Sequence, residues 1–417
     1  MVMRKPGAGA ESPKKQTNIL TKRLFGRHSG APASTAINTV SGAIELECAV
    51  LRYRIGYISV AGTVQPGLKS CTGWLASVAG RANFQGPITP TAGWTANTYA
   101  GAATFDAPVR LGTERPSITW CDWVNVPSLA RTDGGVRPIL LYRYEFPIGT
   151  IISYPTNGTA NWRDSGHAPR LLTTNVQAVG GVTSTAAFTQ GNNTESVTNI
   201  CIPVVQYVSQ SAGMQVMIGG DSIAEGVGAS PACYGYVQRA CYELSTPERP
   251  IEYFNAALHS QQPPIYAPSV EDWAAVVKPT FAFYQPYSVN QVTNNPAGSG
   301  LNANDLTRIA FGAGTAFAAL DAVETWLLPP MPVNTAFKDI GAGDQRRRDY
   351  YTSDMPAFHG HKTVTGPLEA YTGERAASGQ DQIKVGLSGD NAHPNQAGSI
   401  ALAPGVKAVL SHSRPQP

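Results

Sequence analysis

The sequence predicts a two-domain chain, in which an N-terminal jelly-roll-like β-sandwich precedes a three-layer α/β/α domain with a parallel sheet. The chain has 417 residues, which is more than one ordinary hydrophobic core accommodates. From 43 to 210, short β-branched and aromatic segments alternate with Gly, Pro, Asn and Thr turns. After Gly213, strand-like and helix-like segments alternate. We therefore divide the chain into a basic flexible leader (1–40), the β-sandwich (41–210) and the α/β domain (211–417).

The composition is typical of a globular protein with little net charge. Hydrophobic residues make up 42% of the chain and charged residues 14%, which places it outside the disordered class. The first 30 residues carry seven Lys or Arg against one Glu, whereas the whole chain has a net charge of +3. The rest of the chain is therefore slightly acidic, which argues against a nucleic-acid-binding domain, and the basic start is expected to be a solvated leader.

Targeting signals and cysteines leave the compartment open. No apolar run reaches the ~18 residues that a membrane span needs. The basic start also lacks the apolar segment of a signal peptide. The six cysteines form an even set without the spacing of a metal site, so both disulfides and buried thiols fit the pattern.

The β-sandwich is predicted from short segments without helical periodicity. The clearest strands are 43–50, 139–146, 150–154 and 200–209. Two segments of this region, 120–123 and 162–165, contain tryptophans. These side chains fit the core of a sandwich, which is the commoner place for them, or a sugar-binding surface.

The α/β domain is predicted from the alternation of its segments. The predicted strands are 215–218, 251–255, 281–287 and 323–328, and the predicted helices are 234–244, 270–277, a segment within 304–320, and 394–410. Ligands of such domains bind at the carboxyl ends of the parallel strands. Ser222, Asn255 and Asn290 each fall at or just after a predicted strand end. These positions predict a single site at that edge of the sheet.

A glycine-flanked serine follows the first strand of this domain. Ser222 lies in Gly219-Gly220-Asp221-Ser222-Ile223, before a predicted helix whose free N–H groups favour developing negative charge. A serine hydroxyl is a weak nucleophile and needs an adjacent base that a third group orients. Taken alone, the motif is more often a helix-capping serine in a Gly-rich turn.

A late Asp-x-x-His supplies the base that Ser222 needs. In Asp390-Asn391-Ala392-His393, the spacing lets the carboxylate fold back onto the imidazole. The carboxylate would then hold one ring N–H and leave the other ring nitrogen facing Ser222. The alternative is a surface acid beside a helix-capping histidine, and the combination with Ser222 favours the catalytic interpretation.

Two further segments carry candidate hydrogen-bond donors for an oxyanion. Asn290 follows the third predicted strand, and an amide donor in comparable sites contributes ~2.7–4 kcal/mol. The second strand leads into a loop, 255–260, whose backbone amides are further candidates. The alternatives are a turn asparagine at position 290 and, at His259, a packed or solvent-facing side chain.

These four segments resemble the sequence blocks of the SGNH hydrolase superfamily, which includes the GDSL-type esterases and lipases. The resemblance covers about residues 213–412, and its Gly-Asp-Ser and Asp-x-x-His-Pro-Asn parts are specific, whereas the two middle blocks are degenerate. It implies that Ser222 is the nucleophile, His393 the general base and Asp390 the acid that orients this base.

The same resemblance implies an oxyanion hole and shows departures from the family pattern. The hole would consist of the backbone N–H groups of Ser222 and Ser260 and the side chain of Asn290. The family usually has glycine where Ser260 and Ser288 stand, and aspartate where Gln291 stands. A serine at position 260 preserves the backbone donor only if its φ is negative.

Two remaining clusters are predicted to have no catalytic role. His359-Gly360-His361 has no matching Cys, Asp or His cluster, so a polar loop is expected there instead of a metal site. Arg346-Arg347-Arg348 is expected to form the solvated face of a helix. The reaction that the resemblance implies requires neither a metal nor an organic cofactor.

Together these features predict a serine esterase that acts through an acyl-enzyme. A β-sandwich before such a domain resembles the arrangement in some carbohydrate acetylesterases, so the expected substrate is a short-chain ester, acetyl in the first place, on an acetylated polysaccharide. Such a substrate would favour a secreted or surface-associated protein. Two alternatives stay open, a carbohydrate O-acyltransferase and a non-catalytic glycan-binding or surface module with a relict hydrolase fold.

Overall fold

The computed structural model describes the chain in segments. The described residues are 16–24, 26–30, 33, 38–75, 90, 93–129, 137–155, 171–177, 201–229, 234–288, 290, 312, 314–321, 323–337, 344–354, 362–364 and 367–413. The sequence clusters at 162–165 and 359–361 lie outside these residues, as does Gln291.

The N-terminal region is built from strands. They are β1 (Thr17–Lys22), β2 (His28–Gly30), β3 (Asn38–Glu45), β4 (Val50–Ser59), β5 (Gln65–Leu75), β6 (Thr95–Ala96), β7 (Phe105–Ala107), β8 (Ser117–Trp120), β9 (Val124–Leu129), β10 (Ile139–Phe146), β11 (Ser153–Pro155), β12 (Leu171–Gln177) and β13 (Val204–Gly219). One sheet has the order β12-β3-β10-β5-β6, with β7 beside β5, while β2 pairs with β11. The facing layer contains β1, β4, β8, β9 and the first half of β13. The predicted β-sandwich is therefore present.

Buried aromatic side chains join the two layers of this sandwich. Tyr53, Ile55 and Tyr57, at alternate positions of β4, share one buried cluster. Tyr53 packs edge-on against Trp74 of β5, with ring centroids 5.1 Å apart, and Tyr57 packs against Tyr144 of β10 at 5.6 Å. The described cysteines are buried free thiols at positions 48, 71, 121, 201 and 241.

Beyond β13, helices alternate with parallel strands. The helices are α1 (Ser222–Glu225), α2 (Tyr236–Leu244), α3 (Pro263–Val277), α4 (Asp344–Asp349), α5 (Pro367–Tyr371) and α6 (Gln396–Ser413). Residues 314–319 are also helical, and a π-helical turn, Tyr350–Asp354, follows α4. The strands are β14 (Ile251–Asn255), β15 (Phe281–Tyr284), β16 (Glu324–Leu327), β17 (Lys362–Thr363) and the antiparallel pair β18 (Thr372–Arg375) and β19 (Asp381–Ile383). Within the described part of the chain, no helix combines the length and apolar character that a membrane span requires.

Helices cover both faces of the parallel sheet, whose order is β14-β13-β15-β16-β17. On one face, α2 packs against α6, and Val406 shares a buried cluster with Ile218 of β13. On the other face, Val270 of α3 shares a buried cluster with Met217. Successive strand residues point to opposite faces, so neighbouring positions of β13 contact different helix layers. The predicted three-layer α/β/α architecture is confirmed.

The structure corrects two of the predicted boundaries. The flexible leader predicted for 1–40 contains β1, which pairs antiparallel with β13. Basic Lys22 is 1% exposed, because its Nζ lies 3.3 Å from Glu47 and 3.1 Å from Glu252. The boundary predicted between 210 and 211 falls inside β13, whose first half pairs antiparallel with β4 and whose second half pairs parallel with β14. The basic segment around Lys22 is thus part of the fold, because the buried carboxylates of Glu47 and Glu252 neutralise this lysine.

In the arginine run 346–348, the side chains of Arg347 and Arg348 do not form the predicted solvated helix face. Arg347 of α4 is 2% exposed, with Nε 2.6 Å from Asp344 and an NH2 nitrogen 2.6 Å from Asp381. Arg348 pairs with the same two carboxylates. A buried guanidinium requires such partners, since an unpaired buried charge costs ~3–5 kcal/mol. The cluster joins α4 to β19.

Candidate active site

A tight turn places Ser222 at the carboxyl end of β13. Gly220 has a φ of 151°, and a Cβ at this position would lie 2.7 Å from the Cβ of Ala224. Asp221 caps α1 through Oδ1, which accepts a hydrogen bond from the N–H of Ile223 at 2.9 Å. Ser222 begins the helix behind this cap and is 5% exposed. The serine is therefore not the capping residue of α1, and its hydroxyl has another partner.

That partner is His393, in a hydrogen-bonded chain that ends at Asp390. The Oγ of Ser222 lies 2.9 Å from Nε2 of His393. The Nδ1 of His393 lies 2.6 Å from Oδ2 of Asp390. Because an ionised carboxylate can only accept, Nδ1 carries the ring proton and Nε2 is left to accept the hydrogen bond from the serine hydroxyl.

The carboxylate of Asp390 is held by its own loop. Its Oδ1 accepts hydrogen bonds from the N–H groups of His393 at 2.8 Å and Ala392 at 3.0 Å, and from the hydroxyl of Ser388 at 3.2 Å. Partial burial favours the neutral carboxyl, but the hydrogen bonds from His393 outweigh it and hold the pKa of Asp390 well below its ordinary value. The charged acceptor therefore persists at neutral pH.

The loop after β14 brings Ser260 into a strained conformation. Ser260 is exposed and has a φ of 60°, so the negative φ that we required of it from the sequence is not found. Such backbone strain in a non-glycine residue costs roughly 1–3 kcal/mol and persists only where surrounding contacts impose it. Among the described residues, no acceptor binds the N–H of Ser222 or of Ser260.

Asn290 lies next to this loop. Its Nδ2 donates to the carbonyl of Gln261 at 3.3 Å, and its own carbonyl accepts from Nε2 of Gln262 at 3.3 Å. The hydroxyl of Ser288 donates to Oδ2 of Asp221 at 2.6 Å and accepts from the N–H of Asn290 at 3.1 Å. The serine at position 288 therefore connects the Asn290 segment to Asp221, which caps α1. The side chain of Asn290 is hydrogen-bonded to the loop that carries Ser260.

Sequence reasoning missed Glu225, which lies one turn after Ser222 on α1. Its side chain is fully buried, and its carboxylate binds both the loop at His259 and the segment at Gly26 and Arg27. No local signal marks it, because a glutamate in the first turn of a helix is ordinarily exposed and is favoured there by the helix dipole. Its partners in the N-terminal region were concealed by nearly 200 residues of separation.

The other candidates have ordinary structural roles in the described residues. The rings of Trp120 and Trp123 are partly exposed, and the guanidinium of Arg54 lies 4.6 and 4.9 Å from their centroids. Trp120 also packs against a buried core cluster, as one of the two alternatives from the sequence predicts. Among the described residues, no group of three or more His, Cys, Asp or Glu is placed to hold a metal ion.

Comparisons with known proteins find similarity among solved structures. The sequence matches no family model and no curated protein. A GDSL-like lipase from Bacteroides thetaiotaomicron aligns with a TM-score of 0.37 and 14% identity over 48% of this chain and 89% of the lipase. The psychrotrophic esterase EstA from Pseudoalteromonas sp. aligns with a TM-score of 0.35 and 14% identity over 48% of this chain and 97% of the esterase. A lipase/acylhydrolase from Enterococcus faecalis aligns with a TM-score of 0.34 and 12% identity over 49% of this chain and 99% of that protein.

Proposed function

We propose that the protein is a serine esterase of the SGNH type, with Ser222 as nucleophile, His393 as general base and Asp390 as the acid that orients this base. The observation that carries the proposal is the hydrogen-bonded chain from the Ser222 hydroxyl through both ring nitrogens of His393 to Asp390. This arrangement activates a serine for acyl transfer, because the base receives the hydroxyl proton and the carboxylate stabilises the imidazolium.

The first half of the reaction forms the acyl-enzyme. The Oγ of Ser222 attacks the ester carbonyl carbon while Nε2 of His393 takes the hydroxyl proton. The proposed donors to the resulting oxyanion are the side-chain Nδ2 of Asn290 and the N–H groups of Ser222 and Ser260. Neither of these two N–H groups has an acceptor among the described residues, whereas Nδ2 also donates to the carbonyl of Gln261. The tetrahedral intermediate collapses, the bond to the alcohol oxygen breaks, and His393 returns the proton to the leaving alcohol.

The second half releases the acid. Water attacks the acyl carbon and gives a proton to Nε2 of His393, and collapse of the second intermediate returns this proton to Ser222. The carboxylate of Asp390 stays ionised in both halves, because the low pKa of this group keeps it from taking a proton at neutral pH. Its part is to hold the tautomer and orientation of the ring.

For the substrate, we propose a short-chain ester, acetyl in the first place, on a carbohydrate. A cavity of about 140 Å³ borders the loop after β14 at Leu258, and Gly26, His28, Arg110 and Glu114 line it from the N-terminal region. The residues that line it include none of Ser222, His393 and Asp390, so this cavity does not define the substrate of the proposed site. The support for a carbohydrate ester is the order of the two regions, because a β-sandwich before the α/β layers resembles the arrangement in some carbohydrate acetylesterases.

A short-chain p-nitrophenyl ester tests the esterase assignment. The Ser222→Ala variant should lose at least ~10³-fold in kcat, because no nucleophile remains to form the acyl-enzyme. The matched control is Ser378→Ala, in an exposed turn between β18 and β19, which should keep wild-type turnover. Undiminished turnover by Ser222→Ala, or none by the wild type, contradicts the assignment.

An acetate-release screen across acetylated polysaccharides and small esters tests the substrate. We expect release from at least one acetylated polysaccharide, with kcat/KM higher than for p-nitrophenyl acetate. Acetate transferred to a sugar hydroxyl in preference to water would identify an acyltransferase instead. Glycan binding with no release would support the non-catalytic module.

A further inference from the structure

Glu225 accepts four hydrogen bonds from two distant segments. The side chain is 0% exposed, and a buried carboxylate is costly unless it is hydrogen-bonded. Its Oε1 accepts from the N–H groups of Gly26 and Arg27, both at 3.0 Å. Its Oε2 accepts from the N–H of His259 at 3.0 Å and lies 2.9 Å from Nδ1 of the same residue. The carboxylate therefore joins the N-terminal segment to the loop that carries Ser260.

Arg27 holds the other side of the same loop. Its NH1 nitrogen donates to the carbonyl of His259 at 3.2 Å, while Nε and NH2 bind Glu114 at 2.9 and 2.6 Å. The carbonyl of His259 and the N–H of Ser260 belong to one planar trans peptide, so they point in opposite directions. A contact that fixes this carbonyl therefore also fixes the direction of the Ser260 N–H.

The conformation of Ser260 requires such contacts. Its φ of 60° lies in the left-handed region, where a non-glycine residue stays only if its surroundings impose it. The hydrogen bonds of Glu225 fix the residue before it, and that of Arg27 fixes the peptide between the two. If either contact is lost, the peptide between His259 and Ser260 can rotate. The N–H of Ser260 then no longer points in the direction that it has in the intact loop.

We propose that Glu225 and Arg27 are positioning residues that aim the N–H of Ser260 at the oxyanion, so that the N-terminal segment is part of the catalytic apparatus. The proposal rests on the proposed esterase function. It assigns a function in the reaction to a segment whose sequence resembles a basic leader. It also gives a physical reason why a serine serves at position 260 without glycine's freedom.

The test compares kcat, KM and inhibition by phenylboronic acid, which forms a tetrahedral adduct with an active-site serine. Glu225→Ala should lower kcat by ~10²-fold and Arg27→Ala by ~10-fold, with KM within about threefold of the wild type, since one misaligned oxyanion donor costs up to ~10²–10³ in kcat. The inhibition constant of phenylboronic acid should rise in step with the loss of kcat. Glu225→Gln keeps the shape and one acceptor oxygen and should recover part of the loss.

Two controls separate positioning from general destabilisation. Val277→Ala removes buried volume at the end of α3, before the amino end of β15 and so at the opposite end of the sheet from Ser222. It should lower the thermal midpoint without changing kcat at a temperature at which all variants are folded. Glu248→Ala, at an exposed position, should change neither quantity.

Three results would overturn the inference while leaving the esterase assignment intact. They are wild-type kcat in both Glu225→Ala and Arg27→Ala, a loss confined to KM, and a loss of kcat without any rise of the phenylboronic acid constant. If the wild type itself fails to turn over the ester, the proposed function fails, and the positioning roles fail with it.

Discussion

The two sides of Ser222 are built in different ways. On the side of His393, the proposed base, the carboxylate of Asp390 accepts from Ser388, Ala392 and His393, all within one short loop. On the other side, the loop that carries Ser260 is the proposed oxyanion loop, and the carboxylate of Glu225 accepts there from residues 199 and 34 positions away in the chain. One carboxylate therefore organises its own loop, and the other joins parts of the chain that are far apart in sequence.

This difference determines what a substitution does. The Asp390 loop depends on a few neighbouring residues, so a substitution in it should lower kcat with little effect on the stability of the fold. The contacts of Glu225 involve the N-terminal segment, which is continuous with β1. A substitution at Glu225 should therefore lower both kcat and stability. The following changes test this contrast, beginning with the largest expected effect.

Deleting residues 1–30 should abolish the folded state. The deletion removes β1 with the buried side chains of Leu20 and Leu24, each worth ~1.5–3 kcal/mol. It also leaves Glu47 and Glu252 buried without Lys22, which adds ~3–5 kcal/mol. These costs are comparable to the ~5–15 kcal/mol stability of an ordinary domain. Circular dichroism and soluble yield measure the outcome, and Leu20→Ala should show a graded loss of the thermal midpoint.

A truncated chain with the wild-type thermal midpoint would contradict the contrast, because β1 would then not belong to the structure that supports the oxyanion loop.

Asp390→Asn should lower kcat by ~10²–10⁴-fold with little change in the thermal midpoint. An amide has no charged acceptor for the Nδ1 proton of His393, so the ring loses the tautomer that leaves Nε2 facing Ser222. Ester hydrolysis and thermal unfolding are measured on the same samples. The control is Asp321→Asn, at an exposed position, which should match the wild type in both.

A large loss of stability in Asp390→Asn, equal to that of a substitution at Glu225, would show that the base side is as strongly coupled to the fold as the oxyanion side.

Glu252→Gln should change the pH dependence of stability. Burial raises the pKa of Glu252 to about 7 from 4.5, although the charge of Lys22 acts in the opposite direction. The folded state therefore keeps a proton that the unfolded state loses, so the contribution of this group is fully present below pH 4.5 and is lost as the pH rises through about 7. Its slope is at most about 1.4 kcal/mol per pH unit, and glutamine cannot titrate.

Urea unfolding at several pH values in that window measures this slope for the wild type and the variant. Equal slopes in the two proteins would show that Glu252, which pairs with Lys22 of β1, does not titrate with a raised pKa in the folded state. The effect is the smallest of the three, because only one proton is involved.

Local patterns made much of the fold predictable. The strand at 251–255 was predicted with its observed bounds, because a short segment with β-branched and aromatic residues lies there between turns. The Ser222 turn and the Asp390 loop carry their contacts within a few residues, so their motifs were visible. Residues 263–269 of α3 were missed, since Pro263 and Pro264 resemble a turn although proline suits the first turn of a helix.

The rest could not be predicted because it depends on partners distant in sequence. Lys22 and Arg27 have the composition of a solvated leader, and only their neutralisation by buried Glu47 and paired Glu114 shows otherwise. Arg347 was misjudged for the same reason, since Asp381 lies beyond the helix that carries it. The φ of Ser260 depends on contacts from Arg27 and Glu225 that no local pattern encodes.

Strand β13 belongs to both the β-sandwich and the parallel sheet, and this limits how the two regions could be separated. One continuous strand pairs with β4 at its start and with β14 and β15 at its end. A recombination point between the sandwich and the catalytic layers would cut through hydrogen-bonded backbone, so the sandwich is not an exchangeable module. Because the two regions share this strand, we expect them to unfold in a single transition.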